Sequence, residues 1–431
     1  MNDKIRIILP DKYDLVVGDT FQLFYRGVVE APDPFCYDIL AVCECGKNFP
    51  RYYEFTPEAP GRHKLCIYVY DAAKNLLGSG ETILDVAEAK TPDKNINILC
   101  IGDSLTAGGE WVNEARRRLT ALGGAPEGLG FSNISFVGTC GTGDARYEGY
   151  GGWRWDSYFS EDIEDMWVYC DHNKTAADQH SVWEDSSGNL WKLETIVFEN
   201  LKFIPYEKRN IPKVKEGTIK HVKNAINKDD VVIKSTYSGK PSPFYDEKSC
   251  SVSFKAYAEK LGIEKIDAVY IPLGSNGVIS FDNLHMLCKN IVNDGKKLVD
   301  KIHRDFPEAK IKIMGYPIPS PNGGCGANYG APLPHCDNYG AARFVLEMNL
   351  ASIEWAKEPQ YSDFMEYINI SGQFDSDYGY PKATKPVNVR SSYKEFLDIN
   401  GLHPTNEGYM QIADAAFRSM VHLCAEYVQK S

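Results

Sequence analysis

From residue 95 onward, short apolar segments alternate with segments of helical periodicity, and this alternation restricts the fold more than any other feature. We predict strands at residues 96–101, 134–137, 268–272, 311–314 and 364–370, and helices at 111–122, 282–303 and 407–428. Short, continuously apolar strands separated by helices are typical of a parallel sheet with helices on both faces. The pattern predicts an α/β domain over residues 95–431.

Residues 1–90 follow a different pattern, in which short alternating strands are separated by turn signals. The alternation is clear at 13–17 and 21–25, and this spacing favours a small β-sandwich, Ig-like or jelly-roll-like. A polar link at 89–94 separates it from the α/β domain. Within that domain, the looser pattern of about 156–250 indicates a long insertion, with a hairpin expected at 181–193.

Composition and charge restrict the partners and the location. The 431 residues carry a net charge of −12 without a dominant basic run, which argues against nucleic acid or an anionic membrane surface as a partner. No apolar run is long enough for a membrane helix, and no standard export signal begins the chain, so we expect a cytoplasmic protein, with association with a virion as an alternative.

The 12 cysteines are scattered and several lie in apolar runs, as buried hydrophobic residues do in a reducing compartment. A metal site that uses Cys43 and Cys45, or Cys325 with His335 and Cys336, is the alternative. It lacks the paired spacing of known cysteine sites, and we expect no metal.

The first chemical motif is Gly-Asp-Ser-Leu at 102–105, directly after a predicted strand and before a predicted helix. A serine there, Ser104, would lie at the carboxyl edge of the sheet, where α/β folds bind their ligands. Backbone N–H groups at this point could stabilise an oxyanion. An ordinary turn or a phosphate cradle is also compatible with these residues.

The second motif is His-Pro at 403–404, just before the last predicted helix. A loop stiffened by proline can direct His403 into a cleft, and a histidine titrates near neutral pH, as a general base must. A surface or helix-capping role is the simpler alternative for this residue.

Two weaker motifs lie between these in the chain. Gly152, in Glu-Gly-Tyr-Gly-Gly-Trp, offers a backbone N–H that a reacting oxygen can approach, and Asn276 offers a side-chain amide directly after a predicted strand. Together with the Ser104 N–H they could form an oxyanion hole, although each is also common in ordinary turns.

With Ser104, Gly152, Asn276 and His403 in this order, the chain resembles the SGNH (GDSL) hydrolases over about residues 95–431. The resemblance implies a flavodoxin-like three-layer α/β/α domain and ester hydrolysis through an acyl-serine, without a cofactor. It implies that Ser104 is the nucleophile and His403 the base, with the other two in the oxyanion hole.

The chain departs from this family at two positions. The family usually has an aspartate three residues before the histidine, where this chain has Asn400. We expect either a Ser–His dyad supported by Asn400 or by a backbone carbonyl, or nearby Asp398 as the residue that orients His403. Asp375 is a more remote choice. Gly277 stands where the family often has an aspartate after the asparagine.

These observations predict a serine esterase, most specifically an acetylesterase acting on a small-molecule or glycan ester. Its resemblance to carbohydrate esterases with a β-sandwich supports this substrate class. Trp153 and Trp155 are the expected substrate contacts, and Trp183 and Trp191 lie in the insertion, although all four could be core residues. The alternatives are a glycan-binding or structural protein of a phage tail or surface assembly, and a lipase or thioesterase.

Overall fold

The structure is a computed structural model that describes residues 5–159, 166–197, 200–206, 217–238, 242–246, 248–249, 251–276, 283–321 and 338–428. The chain divides into two compact units. One comprises Met1–Asp156 and Ala258–Ser431, and the other comprises Ser157–Tyr257.

The N-terminal part of the first unit consists of two small sheets. Its strands are β1 (Lys12–Val16), β2 (Phe21–Phe24), β3 (Asp38–Val42), β4 (Lys47–Asn48), β5 (Tyr52–Phe55), β6 (Gly61–Tyr70) and β7 (Leu76–Ala87). One sheet has the order β1-β7-β6-β3 and the other the order β2-β5-β4. Apolar side chains from both sheets, including Tyr13, Phe21 and Ile67, form one buried cluster. Its classification as a separate sandwich domain stays a prediction.

The remaining strands follow in chain order. They are β8 (Ile96–Gly102), β9 (Leu122–Gly123), β10 (Gly128–Leu129), β11 (Ile134–Val137), β12 (Glu148–Gly149), β13 (Met166–Asp171), β14 (Val182–Glu184), β15 (Leu190–Val197), β16 (Asn200–Pro205), β17 (Gly217–Lys223), β18 (Val231–Ser238), β19 (Tyr245–Asp246), β20 (Ser251–Val252), β21 (Ala268–Ile271), β22 (Lys310–Met314), β23 (Met365–Ile368), β24 (Lys382–Pro386) and β25 (Lys394–Asp398).

The α-helices are α1 (Ser104–Ala107), α2 (Glu110–Thr120), α3 (Trp155–Phe159), α4 (Phe254–Leu261), α5 (Leu284–Asp305), α6 (Asn338–Ala356) and α7 (Asn406–Glu426). Side-chain caps fix the start of two long helices. The Asn283 side chain accepts a hydrogen bond from the Met286 N–H at α5, and Thr405 does the same for Gly408 at α7.

The predicted parallel sheet is confirmed, with the strand order β11-β8-β21-β22-β23 and every neighbouring pair parallel. All five predicted strands and all three predicted helices are present, with ends that differ by at most two residues. Because the carboxyl ends of parallel strands meet at one edge of the sheet, the segments that follow β8, β21 and β22 lie together there.

The second unit contains a closed barrel of strand order β13-β16-β15-β14-β17-β18. The predicted hairpin is confirmed as β14 and β15. Trp183 and Trp191 are buried in the barrel core with Leu193 and Phe203, so the structure gives these two tryptophans a packing role.

No helix in the described part of the chain combines the length and the apolar character needed to span a membrane. The irregular stretch predicted at 317–339 lies mostly outside the described residues. The stretch predicted at 372–392 includes β24, which pairs with β25 as an antiparallel hairpin.

Candidate active site

Ser104 is the first residue of α1 and lies directly beyond the carboxyl end of the interior strand β8. Its neighbour Asp103 caps α1, because Oδ1 of Asp103 accepts a hydrogen bond of 3.0 Å from the Leu105 N–H. The turn leaves Ser104 half-buried between buried neighbours. The first N–H groups of a helix have no acceptor within the helix, so the Ser104 N–H is not used by α1 itself.

His403 lies in the loop before α7, and its Nε2 atom is 3.0 Å from Oγ of Ser104. The ring is half-buried, and burial lowers its pKa below the ordinary histidine value. At neutral pH the imidazole is therefore mainly uncharged, which is the form that accepts a proton. The structure brings the serine and the histidine of the two strongest motifs into hydrogen-bond contact.

Asn400 lies on the other side of the His403 ring. Its Oδ1 atom accepts hydrogen bonds from the backbone N–H groups of Leu402 and His403, at 3.0 and 2.9 Å. This fixes the amide so that Nδ2 lies 3.5 Å from Nδ1 of His403. An amide nitrogen can only donate, so this contact favours the tautomer with its proton on Nε2, opposite to the one a base needs.

Asp398 is engaged elsewhere. It is the register partner of Lys382 in the β24–β25 hairpin, and its carboxylate lies 3.0 Å from the Lys382 ammonium and accepts a hydrogen bond from Ser320. Asp375 forms a bidentate salt bridge with Arg51, whose Nη1 and Nη2 atoms donate to Oδ1 and Oδ2 of Asp375 at 2.9 and 2.7 Å. Of the three orienters considered from the sequence, the structure places Asn400 against His403.

The segment that carries Gly152 is held beside Ser104 by backbone pairing. β12 pairs with the end of β8, with Gly149 opposite Gly102, and the Tyr150 N–H donates to the Gly102 carbonyl at 3.0 Å. A Cβ atom on Gly149 would lie 2.8 Å from the backbone of α1, so only glycine permits this approach. Gly152 itself has a φ of +78°, a conformation that favours glycine.

Asn276 connects three of the four motifs. Its Nδ2 atom donates to Oδ2 of Asp103 at 3.1 Å and to the Trp153 carbonyl at 3.0 Å. The amide is thereby held between the serine motif and the glycine motif. Both of its N–H groups have acceptors, so an oxyanion could take one only by sharing or displacing such a bond. Gly277 lies outside the described residues.

Sequence reasoning missed the roles of Asp103 and Tyr316. The Asp103 carboxyl is buried, accepts a hydrogen bond of 2.7 Å from the Tyr316 hydroxyl, and lies 3.5 Å from Oγ of Ser275. Burial raises the pKa of Asp103 to about 6, because the hydrogen bonds only partly offset desolvation. The sequence did contain a signal for Tyr316, because this residue follows β22 by two positions. The carboxyl end of β22 lies at the same edge of the sheet as Ser104.

The two tryptophans expected to bind substrate have different environments. Trp153 is half-buried and stacks on Tyr150, with ring centroids 4.2 Å apart. Trp155 is only 3% exposed and packs edge to face on Trp355. The structure therefore assigns Trp155 to the core, which corrects its expected role in substrate binding, and leaves Trp153 as the tryptophan beside the serine motif.

No group of three or more His, Cys, Asp and Glu side chains suited to a metal ion occurs among the described residues.

No protein-family model matches the chain, and no curated protein matches it.

The chain is similar to solved structures of carbohydrate esterases. A carbohydrate esterase of family 3 from Talaromyces cellulolyticus is 11% identical, covering 77% of this chain and 99% of its own, with a TM-score of 0.37. A carbohydrate acetylesterase from Sinorhizobium meliloti is 11% identical, covering 76% and 100%, with a TM-score of 0.32.

A family 2 carbohydrate esterase with a carbohydrate-binding domain, from Corynascus thermopiles, is also 11% identical. That match covers 98% of this chain and 99% of the other, with a TM-score of 0.30.

Proposed function

We propose that this chain is a serine esterase that hydrolyses small acyl esters through an acyl-serine intermediate. The observation that carries the proposal is the 3.0 Å contact between Oγ of Ser104 and Nε2 of His403. This is the distance at which a general base takes the proton of an attacking hydroxyl. The other two motifs are joined to the serine motif, through the pairing of β12 with β8 and the hydrogen bond from Asn276 to Asp103, and this supports the proposal.

In the proposed first half-reaction, Oγ of Ser104 attacks the ester carbonyl carbon while Nε2 of His403 accepts the hydroxyl proton, which requires the tautomer of the ring with its proton on Nδ1. The negative charge that develops on the carbonyl oxygen is stabilised by N–H donors from Ser104, Gly152 and Asn276. Collapse of the tetrahedral intermediate breaks the bond to the alcohol oxygen, which receives the proton from His403. The products are the free alcohol and an acyl-serine.

In the second half-reaction, water attacks the acyl-serine and His403 accepts a proton from that water. Collapse releases the carboxylic acid and returns the proton to Oγ of Ser104. This chemistry uses no cofactor. The contact from Asn400 does not supply the negative charge that stabilises a charged imidazole in a complete triad, so we expect slower turnover than an aspartate would give.

We further propose a carbohydrate ester, acetylated in particular, as the substrate. Trp153 supports this proposal because it is half-buried beside the serine motif, and aromatic faces pack well against sugar rings.

The strand order supports the flavodoxin-like layout, since the five main strands follow the 2-1-3-4-5 order of that fold. We propose that residues 1–90 form an accessory sandwich domain.

A fluorophosphonate probe tests the nucleophile directly. We expect covalent labelling of the wild-type chain, with the modified peptide containing Ser104 when it is identified by mass spectrometry. Ser104→Ala should abolish labelling, whereas Ser275→Ala, a change at the neighbouring serine, should retain it. Equal labelling of the wild type and Ser104→Ala would refute the assignment, and a chain that takes no label would favour a binding protein.

A further inference from the structure

The connection between β3 and β4 carries two cysteines, Cys43 and Cys45, which are separated by one residue. Their Sγ atoms lie 3.3 Å apart. Both residues are half-buried, and their neighbours Glu44 and Gly46 are exposed, so the pair lies at the surface of the N-terminal sheets. Of the eight cysteines whose side chains the structure describes, these two are the pair in sulfur-to-sulfur contact.

The turn that carries the two cysteines is held by hydrogen bonds. The Tyr53 hydroxyl, from β5, donates to the Cys45 carbonyl at 2.7 Å. Gly46 has a φ of +73°, and a Cβ atom there would clash with the Tyr53 hydroxyl, so this turn requires glycine. Beyond the turn, Oδ1 of Asn48 accepts a hydrogen bond of 3.0 Å from the Ala41 N–H, which joins β4 to β3. The fold therefore keeps the two sulfurs together.

A disulfide is the bond for which this arrangement is suited. Its S–S length is about 2.05 Å, so the sulfurs of Cys43 and Cys45 would have to approach by roughly 1.3 Å. A structural zinc site takes four ligands instead. No group of three or more His, Cys, Asp and Glu side chains suited to a metal ion is found in the part of the chain that the structure describes.

The environment of Cys45 indicates the order in which the two sulfurs react. Burial, together with the contact from Cys43, raises the pKa of Cys45 to about 11. This thiol is therefore protonated at neutral pH, and a protonated thiol is a poor nucleophile. Cys43 is accordingly the sulfur that attacks first, and Cys45 the one that completes the reaction.

We infer that Cys43 and Cys45 form a redox-active dithiol, which a low-molecular-weight disulfide such as glutathione disulfide oxidises to an internal disulfide. The Cys43 thiolate attacks one sulfur of glutathione disulfide, forming a mixed disulfide and releasing one glutathione. Sγ of Cys45 then attacks Sγ of Cys43, and the second glutathione leaves with the Cys45 proton. Two protein thiols are oxidised, one glutathione disulfide is reduced to two glutathiones, and excess glutathione reverses both steps.

This inference goes beyond the proposed esterase function and does not depend on it. The two cysteines belong to the N-terminal sheets, and no residue of the four motifs around Ser104 takes part in the exchange. The covalent state of the cysteines is also measured without any ester substrate. A failure of the esterase proposal would therefore leave the outcome of this test unchanged.

The test incubates the reduced full-length chain with mixtures of glutathione disulfide and glutathione, and then blocks the remaining thiols with N-ethylmaleimide. Trypsin releases residues 27–47, which contain Cys36, Cys43 and Cys45, and mass spectrometry gives the state of each. In about 0.1 mM glutathione, we expect the internal disulfide in about tenfold excess over glutathione bound to either sulfur, because linked groups reach millimolar effective concentrations. Cys36 is exposed and serves as the control within the same peptide, where it should carry glutathione.

Single substitutions separate the two roles. Cys45→Ser should abolish the internal disulfide and leave glutathione on Cys43. Cys43→Ser should also abolish it and should react more slowly, because the remaining thiol is the protonated one. The matched control is Cys66→Ser, which removes a thiol on β6 at the register position opposite Val42 and should leave the disulfide intact.

The same incubation in guanidinium chloride tests the contribution of the fold. Once the turn is unfolded, the ratio of internal to mixed disulfide should fall several-fold. An equal ratio in the native and unfolded chains would overturn the inference. So would glutathione on both Cys43 and Cys45 without an internal bond, a disulfide from either of them to Cys36 or Cys66, or no reaction of either sulfur in the native chain.

Discussion

Oγ of Ser104 lies 3.0 Å from Nε2 of His403, although the two residues are 299 positions apart in the chain. The serine is placed by the end of β8, and the histidine by the loop that the Thr405 cap fixes at the start of α7. Neither residue is close to the other through local structure. The packing of the α/β fold brings them into contact, and this supports a shared catalytic role for the two side chains.

The acid limb of the pH–rate profile should report on His403. Burial lowers the pKa of this ring below 6.5, and only the neutral form can accept the serine proton. We therefore expect kcat/KM for p-nitrophenyl acetate to be constant at neutral pH and to fall as the pH decreases through a midpoint below 6.5. A midpoint at or above 6.5 would show that burial does not control the base.

Asn400→Asp should move the acid limb of the pH–rate profile to higher pH. One carboxylate oxygen can keep the bonds to the Leu402 and His403 N–H groups, and the other would replace Nδ2 at 3.5 Å from Nδ1 of His403. The negative charge should raise the pKa of His403 by about one unit and favour the productive tautomer. We expect a higher kcat as well. An unchanged limb and an unchanged kcat in Asn400→Asp would mean that this position does not act on the ring.

Asp398→Asn should affect stability and leave the acid limb in place. The Asp398 side chain is fully buried and pairs with Lys382 at 3.0 Å, and removing one partner of a buried ion pair typically costs about 3 kcal/mol. Urea titration gives the free energy of unfolding, and Lys382→Met serves as the matched loss of the other partner. A shift of the acid limb in Asp398→Asn, without loss of stability, would identify Asp398 as the orienter instead.

Asn276→Ala should lower kcat by about 10² to 10³, the usual effect of losing one oxyanion donor. KM should change little if the donor acts in the transition state. Ser275→Ala is the control, since that hydroxyl is not one of the proposed oxyanion donors and its contact with Asp103 is long, at 3.5 Å. If Asn276→Ala kept the wild-type kcat, the amide would serve only to connect Asp103 with the Trp153 carbonyl.

The sequence allowed the main sheet to be predicted because its inner strands, β8, β21 and β22, are buried on both faces. β8, for example, is apolar at almost every position, and five of its seven residues are fully buried: Ile96, Ile98, Leu99, Cys100 and Ile101. Helices α2, α5 and α7 were similarly clear from their periodicity. Ser104 and Asn276 could be expected at one edge because parallel strands place their carboxyl ends together.

Other features depend on contacts that no local pattern records. The barrel of the second unit closes through pairing between strands far apart in sequence, such as β13 with β18, and only its short hairpin had a local turn signal. Helix α6 follows an irregular stretch rich in Gly, Pro and Asn and was missed. The bond from Tyr316 to Asp103 spans 213 positions, so it requires the order of the strands.

The most direct test of the esterase proposal compares the wild type with Ser104→Ala on the p-nitrophenyl esters of acetate, butyrate and octanoate. We predict wild-type activity that falls with acyl chain length, and activity in Ser104→Ala reduced to the uncatalysed rate with an unchanged melting temperature. Equal hydrolysis by the two proteins, or no hydrolysis of any of the three esters by the wild type, would contradict the account.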